Sequence, residues 1–297
     1  MPAPLRTFND WHRWAERNYA RHHVALGQVA VSAHDEALYL LLHTLGLPID
    51  TPASVRRRRL TPVERARVRA VFRRRTVDRV PAAYLTREAW LGGHKFFVDE
   101  RVIIPRSYFV ELLPGQIPPW LPAGRPVRRV ADLCTGSGCI AVLLAHQYPA
   151  AKVDAVELSP EALAVARFNV ASHQVDGRVG LYHSDVFDAV PRHRYDLIVS
   201  NPPYVPTREM KTLPAEFKVE PAMALDGGRD GLDVIRKILR QSRDRLRPHG
   251  VVALEVGGLR AAMDRAFPEL ELHWLHTEDG EDCVCVVQAA RLAKWGG

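Results

Sequence analysis

Val127-Arg128-Arg129-Val130-Ala131-Asp132-Leu133-Cys134-Thr135-Gly136-Ser137-Gly138-Cys139-Ile140-Ala141 reads as an apolar strand, a glycine loop and the opening of an apolar helix that runs to Ala145. Gly136 and Gly138 let the backbone come close to a ligand, and the helix amino terminus behind them offers unpaired N–H groups. The next strand candidate, Lys152 to Val156, ends in Glu157, placed to accept both ribose hydroxyls of an adenosine. Ser159 and Pro160 then supply the N-cap and first residue of a helix reaching about Ala171. Strand, loop, helix, strand and helix in this order imply a parallel α/β sheet, whose ligands settle outside the carboxyl ends of the strands.

The loop alone does not choose its ligand. Gly136-Ser137-Gly138-Cys139-Ile140-Ala141 also satisfies the dinucleotide fingerprint, with Glu157 about twenty residues on, so NAD fits as well as S-adenosylmethionine. Three other strand ends decide. Asp132 precedes the loop, where a carboxylate could meet a cationic ligand; Ser184-Asp185-Val186 ends a further strand, where it could meet an adenine. Asn201-Pro202-Pro203-Tyr204 follows the apolar run Tyr195 to Ser200, a buried parallel strand by its pattern. No hydride-transfer His, Lys or Tyr-Lys pair stands out.

The two prolines cannot donate to a sheet ladder and hold the backbone extended, which leaves the carbonyls of Asn201 and Pro202 free to accept. Tyr204 adds a flat wall. Such a slot suits a planar group carrying an NH2, either an amide or the exocyclic amine of a base.

With these residues in view, the chain resembles the class I S-adenosylmethionine-dependent methyltransferases, and within them the protein glutamine N(5)-methyltransferases that modify release factors and a ribosomal protein. The resemblance runs from about Ala83 to Val286. It rests on Ala83-Tyr84-Leu85, Phe97-Val98-Asp99-Glu100-Arg101-Val102, the loop from Asp132 to Gly138, Asn201 to Tyr204, Glu220-Pro221, Asp230-Gly231-Leu232 and Glu255-Val256-Gly257. Glu88-Ala89-Trp90 and Ile104-Pro105-Arg106-Ser107 are similar to the branch acting on the third protein of the large ribosomal subunit, although Tyr108 stands where that branch commonly has proline.

The resemblance implies a Rossmann-like seven-stranded α/β domain with a small N-terminal helical domain and a hairpin linker. The expected borders are 1–84 for a helical substrate-recognition domain, 85–126 for the hairpin and connector, and 127–297 for the catalytic domain. It implies S-adenosylmethionine as cofactor, with Asp132, Cys134, Thr135, Gly136, Ser137 and Gly138 around its methionine part and Glu157 on the ribose. Val186 would border the adenine, with Asp185 near the amino group, and Asn201 would stand between cofactor and substrate. Asn201, Pro202, Pro203 and Tyr204 would hold a glutamine side chain, with Asn201, Pro202 and Tyr204 as the catalytic set and no metal. The readings that compete with it are the same chemistry on release factors, N(6)-adenine methylation of RNA or DNA, and an RNA-binding assembly factor without activity.

Composition sets the remaining bounds. At 297 residues, 47% hydrophobic and 25% charged, the chain is an ordinary globular one with room for a large α/β domain and a smaller one. Its net charge of +7 is concentrated in Arg56 to Arg59, Arg65, Arg67, Arg69 and Arg73 to Arg75, a block that suits an acidic partner such as ribosomal RNA or an assembling subunit. Four cysteines without zinc spacing read as buried hydrophobes in a reducing compartment, with Cys283 and Cys285 on one face of the last strand; the thirteen histidines are dispersed. Met1 to Asp10 lacks the apolar core of a leader and no run approaches the roughly 20 apolar residues of a membrane span, so a cytoplasmic protein with no membrane partner is expected. One helical pattern is expected from Asn9 to Leu45, a capped helix from Thr61 to about Asp78, a hairpin over Ala89 to Pro105 turning at Gly92-Gly93, and a substrate-facing loop over Val205 to Arg229.

Overall fold

A computed structural model describes residues 5–296. Met1 to Pro4, part of the segment considered for a leader, lie outside the described residues. The chain divides into two compact units: Met1–Ala89 with Val98–Glu100 and Pro214–Glu220, and Trp90–Phe97 with Arg101–Leu213 and Pro221–Gly297. Most of the expected connector 85–126 therefore sorts with the sheet. The reason is packing, since helix Phe109–Gly115 buries Phe109, Leu112 and Leu113 in the sheet's own core, together with Leu91 and Phe96.

In the first unit, the expected helical pattern of residues 9–45 is two helices, Phe8–His22 and Ala33–Thr44. His23 ends the first in the left-handed conformation at φ 49°, and Ser32 caps the second by accepting from the Asp35 N–H. Pro62–Thr76 starts as expected, with Thr61 and Glu64 in a reciprocal capping box and proline at the first helical position. These helices bury Trp11, Tyr19, Leu41, Leu42, Val68 and Phe72 in one cluster.

Arg75 is fully buried among them. Its Nε donates to Glu36 Oε1 at 2.6 Å, its Nη2 to the Ala25 carbonyl at 2.7 Å and its Nη1 to Glu216 Oε1 at 3.5 Å. Arg79 Nη1 reaches Glu216 Oε1 at 3.0 Å, and Gln28 Nε2 donates to Glu220 Oε1. Segment Pro214–Glu220 is thus fastened by buried charge, which keeps a piece of the long 205–229 loop inside the helical unit.

β1 (Glu88–Leu91) and β2 (His94–Phe97) form a hairpin turning at Gly92-Gly93; pairing stops at Phe97 rather than continuing to Pro105. The remaining strands are β3 (Arg129–Leu133), β4 (Lys152–Glu157), β5 (Val179–His183), β6 (Tyr195–Ser200), β7 (Leu246–Glu255), β8 (His273–Leu275) and β9 (Val284–Gln288). They form one sheet of order β5-β4-β3-β6-β7-β9-β8, parallel through β7, with β9 antiparallel to both neighbours. Every residue of β6 is buried, as a strand covered by helices on both faces requires.

Cys283 and Cys285 do not share a face. Cys283 packs with Val284 and Val286, Cys285 with Val287, because Cys283 precedes the pleated part of β9 and escapes its alternation. Among the described residues no helix is long and apolar enough to cross a membrane.

Candidate active site

From β3 the chain proceeds outward through β4 to β5 and then returns to β6 on the other side of β3. This reversal opens a crevice at the strands' carboxyl ends. Register pairs Leu133 with Ser200 and Ser200 with Leu254, so β3, β6 and β7 finish at one level. A cavity of about 440 Å³ lies there, within the range of roughly 300–1,000 Å³ common for small-molecule sites.

Of the residues expected at the site, Cys134, Gly136, Glu157, Asp185, Val186, Asn201 and Pro203 line this cavity. Asp132, Thr135, Ser137, Gly138, Pro202 and Tyr204 do not.

Gly136 (φ 55°) faces the cavity: a Cβ built on it would meet only Ile103 Cγ2, at 3.6 Å. Gly138 (φ 79°) serves packing instead, since a Cβ there would stand 3.1 Å from Ala166 Cβ and 3.2 Å from its Cα. Glu157 joins the loop to the next helix, accepting from the Gly136 N–H at 2.8 Å and the Ser159 N–H at 2.9 Å. Each of its oxygens keeps a second lone pair for a ligand hydroxyl.

Asp132 is fully buried beneath the loop, where Oδ2 accepts the Thr135 hydroxyl and Oδ1 lacks a well-formed hydrogen bond. Burial pushes its carboxyl up to about 7, with the Thr135 hydroxyl and the Ala141 N–H offsetting only part of that cost. Such a group gains most from a positive charge placed nearby. Asp185 is at the rim, half exposed and paired with Lys237 Nζ at 2.7 Å.

Two wall residues carry backbone strain. Cys134 has φ 59° and Val186 φ 53°, and a branched side chain such as valine rarely adopts the left-handed region. Strain of this kind persists where surrounding structure enforces it.

At the end of β6, Asn201 Nδ2 donates to the Glu255 Oε1 carboxylate at 2.9 Å and to the Arg106 carbonyl at 3.2 Å. The Arg106 carbonyl can only accept, as does Glu255 when ionised, so the amide orientation is fixed chemically: its NH2 is used up and Oδ1 is left facing away. Among the described residues no donor reaches Asn201 Oδ1 or the Pro202 carbonyl.

Glu255, named only as part of the resemblance, was given no role at the site. Only 4% exposed, it also accepts the Ser107 hydroxyl at 2.6 Å and the Tyr108 N–H at 3.0 Å on Oε2. Burial raises its carboxyl to about 7, against the opposing effect of these donors, Arg106 and Asn201. Tyr204 lies against Gly257, where any Cβ would stand 2.5 Å from the ring. Leu158 and Met223, each about half exposed, add apolar wall that no sequence pattern signalled.

The 205–229 loop returns to its own start. The Val205 N–H bonds the Leu225 carbonyl and the Gly227 N–H bonds the Val205 carbonyl, each at 2.8 Å, which brings Thr207, Pro221, Met223 and Asp226 to the cavity.

The methyltransferase small domain family matches residues 119–274. A ribosomal protein uL3 glutamine methyltransferase of Burkholderia pseudomallei is 46% identical, covering 100% of this chain and 99% of the relative. One from Neisseria meningitidis serogroup B is 44% identical over 97% and 95%. The chain belongs to the ribosomal protein uL3 glutamine methyltransferase family.

It is therefore a methyltransferase that uses S-adenosylmethionine, as the resemblance implied. The catalytic domain of hMettl16, solved with a hairpin of the MAT2A 3′UTR, shares the fold: TM-score 0.51, 14% identity, 77% of this chain and 82% of that one. The residues present fit this cofactor. Gly136 leaves its Cβ direction open to the cavity, Glu157 retains lone pairs for a ribose, and Asp132 holds an under-satisfied carboxyl oxygen below the loop.

Proposed function

We propose that this methyltransferase transfers a methyl group to the side-chain amide nitrogen of a glutamine in ribosomal protein uL3, with Asn201-Pro202-Pro203-Tyr204 as the slot that holds the amide. The observation that carries the assignment to this slot is the pinned Asn201: both its N–H bonds are committed to Glu255 and Arg106, so only an acceptor remains for the substrate.

A glutamine amide nitrogen is a poor nucleophile because its lone pair is delocalised into the carbonyl. Asn201 Oδ1 and the Pro202 carbonyl accept the two amide hydrogens, which pushes electron density onto nitrogen and aims its lone pair. Tyr204 bounds the slot with a flat face. When bound, S-adenosylmethionine would supply an electrophilic methyl whose bond to the sulfonium breaks to leave the neutral thioether S-adenosylhomocysteine, and Gly136, Glu157 and Val186 would hold it. The N-methylated amide is a strong acid, and water takes its extra proton; no general base is needed. Positioning of this kind corresponds to roughly 7–11 kcal/mol of barrier.

The assay is incubation of the enzyme with tritiated S-adenosylmethionine and an extract lacking this activity. Label on uL3 that disappears with Asn201→Ala is expected; label on release factors or in nucleic acid overturns the substrate.

Acting on a ribosomal protein, the enzyme works in the cytoplasm, and RNA is the acidic partner that suits its arginines. Arg56, Arg57, Arg59, Arg67 and Arg74 are exposed: Arg56 and Arg57 end the turn Ala53–Arg57, Arg67 and Arg74 lie on helix Pro62–Thr76, and Arg59 stands between them. Replacing Arg67 and Arg74 by glutamate should flatten the salt dependence of binding to ribosomal precursors without changing turnover on free uL3; an unchanged slope excludes RNA contact there.

A further inference from the structure

The histidines look dispersed along the sequence, yet three of them meet in the second unit. His94 opens β2, His146 lies in the last turn of Cys139–Gln147, and His173 caps Pro160–Ser172. Their ligand nitrogens all lie within 4.8 Å of one another. The His94 and His146 rings stack with centroids 4.8 Å apart and 4° from parallel, and His173 stands edge-on to them at 78° and 76°.

His173 is already oriented. Its Nε2 lies 2.9 Å from the Lys95 carbonyl; a carbonyl can only accept, so Nε2 carries the proton and Nδ1 keeps its lone pair. A ring N–H given to a backbone carbonyl is the arrangement that fixes metal-binding imidazoles. His146 is exposed and the other two are half-buried, which leaves the cluster open to an ion from solvent.

We propose that His94, His146 and His173 form a binding site for a divalent transition-metal ion, zinc foremost, outside the catalytic crevice. Three imidazoles suit borderline-soft zinc, with water at the fourth position. Zinc–nitrogen bonds of about 2.0–2.1 Å in a tetrahedron bring the nitrogens roughly 3.3 Å apart, a contraction that rotation of the exposed His146 side chain can supply.

Occupancy would fasten β2 to the two helices behind the cofactor loop. Asn169 already links these parts, receiving the Phe97 N–H at 2.8 Å and donating to the Phe97 carbonyl at 2.9 Å and the Ser137 carbonyl at 2.8 Å. The metal would brace the back of the loop through the same elements.

The test is calorimetric titration of the full-length, tag-free protein with zinc chloride, paired with cobalt(II) absorption spectra. One ion per chain is expected. His146→Gln or His94→Gln should weaken binding by roughly 10–100-fold or more and abolish the cobalt band. His34→Gln, in the separate cluster with His12 and Glu16, should change neither. Melting curves in chelator confirm that each variant is folded. Absence of zinc binding at micromolar concentrations, binding that survives both His94→Gln and His146→Gln, or binding lost with His34→Gln overturns the proposal.

Discussion

Glu255→Gln separates a structural carboxylate from one that aims the active amide. In the native protein, Oε1 accepts the Asn201 N–H while Oε2 accepts the Ser107 hydroxyl and the Tyr108 N–H. A glutamine has one acceptor oxygen where three donors on two sides need two. If its oxygen faces Asn201, its NH2 opposes the Tyr108 N–H; if its NH2 faces Asn201, the Asn201 amide must turn over and present donors to a substrate that itself donates. Either way one hydrogen bond to a charged group is lost, about 1.5–3 kcal/mol, and at 1.36 kcal/mol per decade kcat should fall about tenfold to about 150-fold. The same change removes a buried charge, so thermal stability above neutral pH should hold or rise. The pH dependence follows with its sign. Burial raises Glu255 to about 7, so below that pH it carries a proton and loses its charge-assisted bonds; wild-type kcat should climb through about pH 7, and Glu255→Gln should lack that limb. Steady-state kinetics on uL3 across pH, with calorimetry for cofactor affinity, measures both. A variant with kcat within about twofold of wild type at pH 8 and an unaltered profile would refute the positioning role.

Other perturbations report on the remaining parts. Asn201→Ala should lower kcat by about a hundredfold or more with nearly unchanged cofactor affinity, read by the same kinetics and calorimetry. Gly136→Ala and Gly138→Ala share the cost of a left-handed alanine, about 1–2 kcal/mol. Gly138→Ala also forces a methyl onto Ala166 and should melt lower, whereas Gly136→Ala should chiefly weaken cofactor binding, since its methyl enters the cavity. Arg75→Met leaves Glu36 buried without its cation, while Glu216 keeps Arg79, and should destabilise the protein by about 3–5 kcal/mol in denaturant titration. Asp132, raised by burial to about 7, favours the fold when protonated; its contribution is complete below the unfolded value near 4 and is lost as pH rises through about 7. Melting of Asp132→Asn should therefore improve relative to wild type as pH rises across that window.

What the sequence conveyed depended on whether the signal was local. The glycine loop, the acidic end of β4 and Asn201-Pro202-Pro203-Tyr204 each declare themselves within a few residues, because positive φ, a capping position and an X-Pro backbone are local demands. The seven-stranded sheet followed from their spacing and from the resemblance. Glu255 entered only as part of the resemblance, and its role stayed hidden, because it depends on β7 and the Ile104-Pro105-Arg106-Ser107 segment converging on Asn201. The three-histidine cluster and the retention of Pro214–Glu220 by Arg75 were hidden for the same reason, since their members come from elements far apart in the chain. The break in residues 9–45 was missed although Gly27 marks it with φ 101°, because His23, which ends the first helix, takes its left-handed turn without being glycine.

Local costs gather at the crevice. Cys134 and Val186 hold left-handed backbone, at about 1–3 kcal/mol each, and Asp132 and Glu255 are carboxyls held out of water. Asp132 and Glu255 would pack at lower cost as apolar side chains, and Cys134 and Val186 pack into the core only by holding left-handed backbone. Together they fix the path of the cofactor loop, place a carboxylate under it, and lock the one amide whose oxygen must face the substrate. A fold selected for stability alone would shed them one at a time, and each removal would be tolerated structurally: Cys134→Gly should relax the loop's backbone, and Glu255→Gln should hold or raise the melting temperature. The functional reading predicts that the two part company in activity. Cys134→Gly keeps the loop's φ accessible and should retain turnover, whereas Glu255→Gln cannot keep three donors satisfied and should lose it. If both variants retained turnover, the buried carboxylate would be a relic of packing, and the orientation of Asn201 would have to come from the Arg106 carbonyl alone.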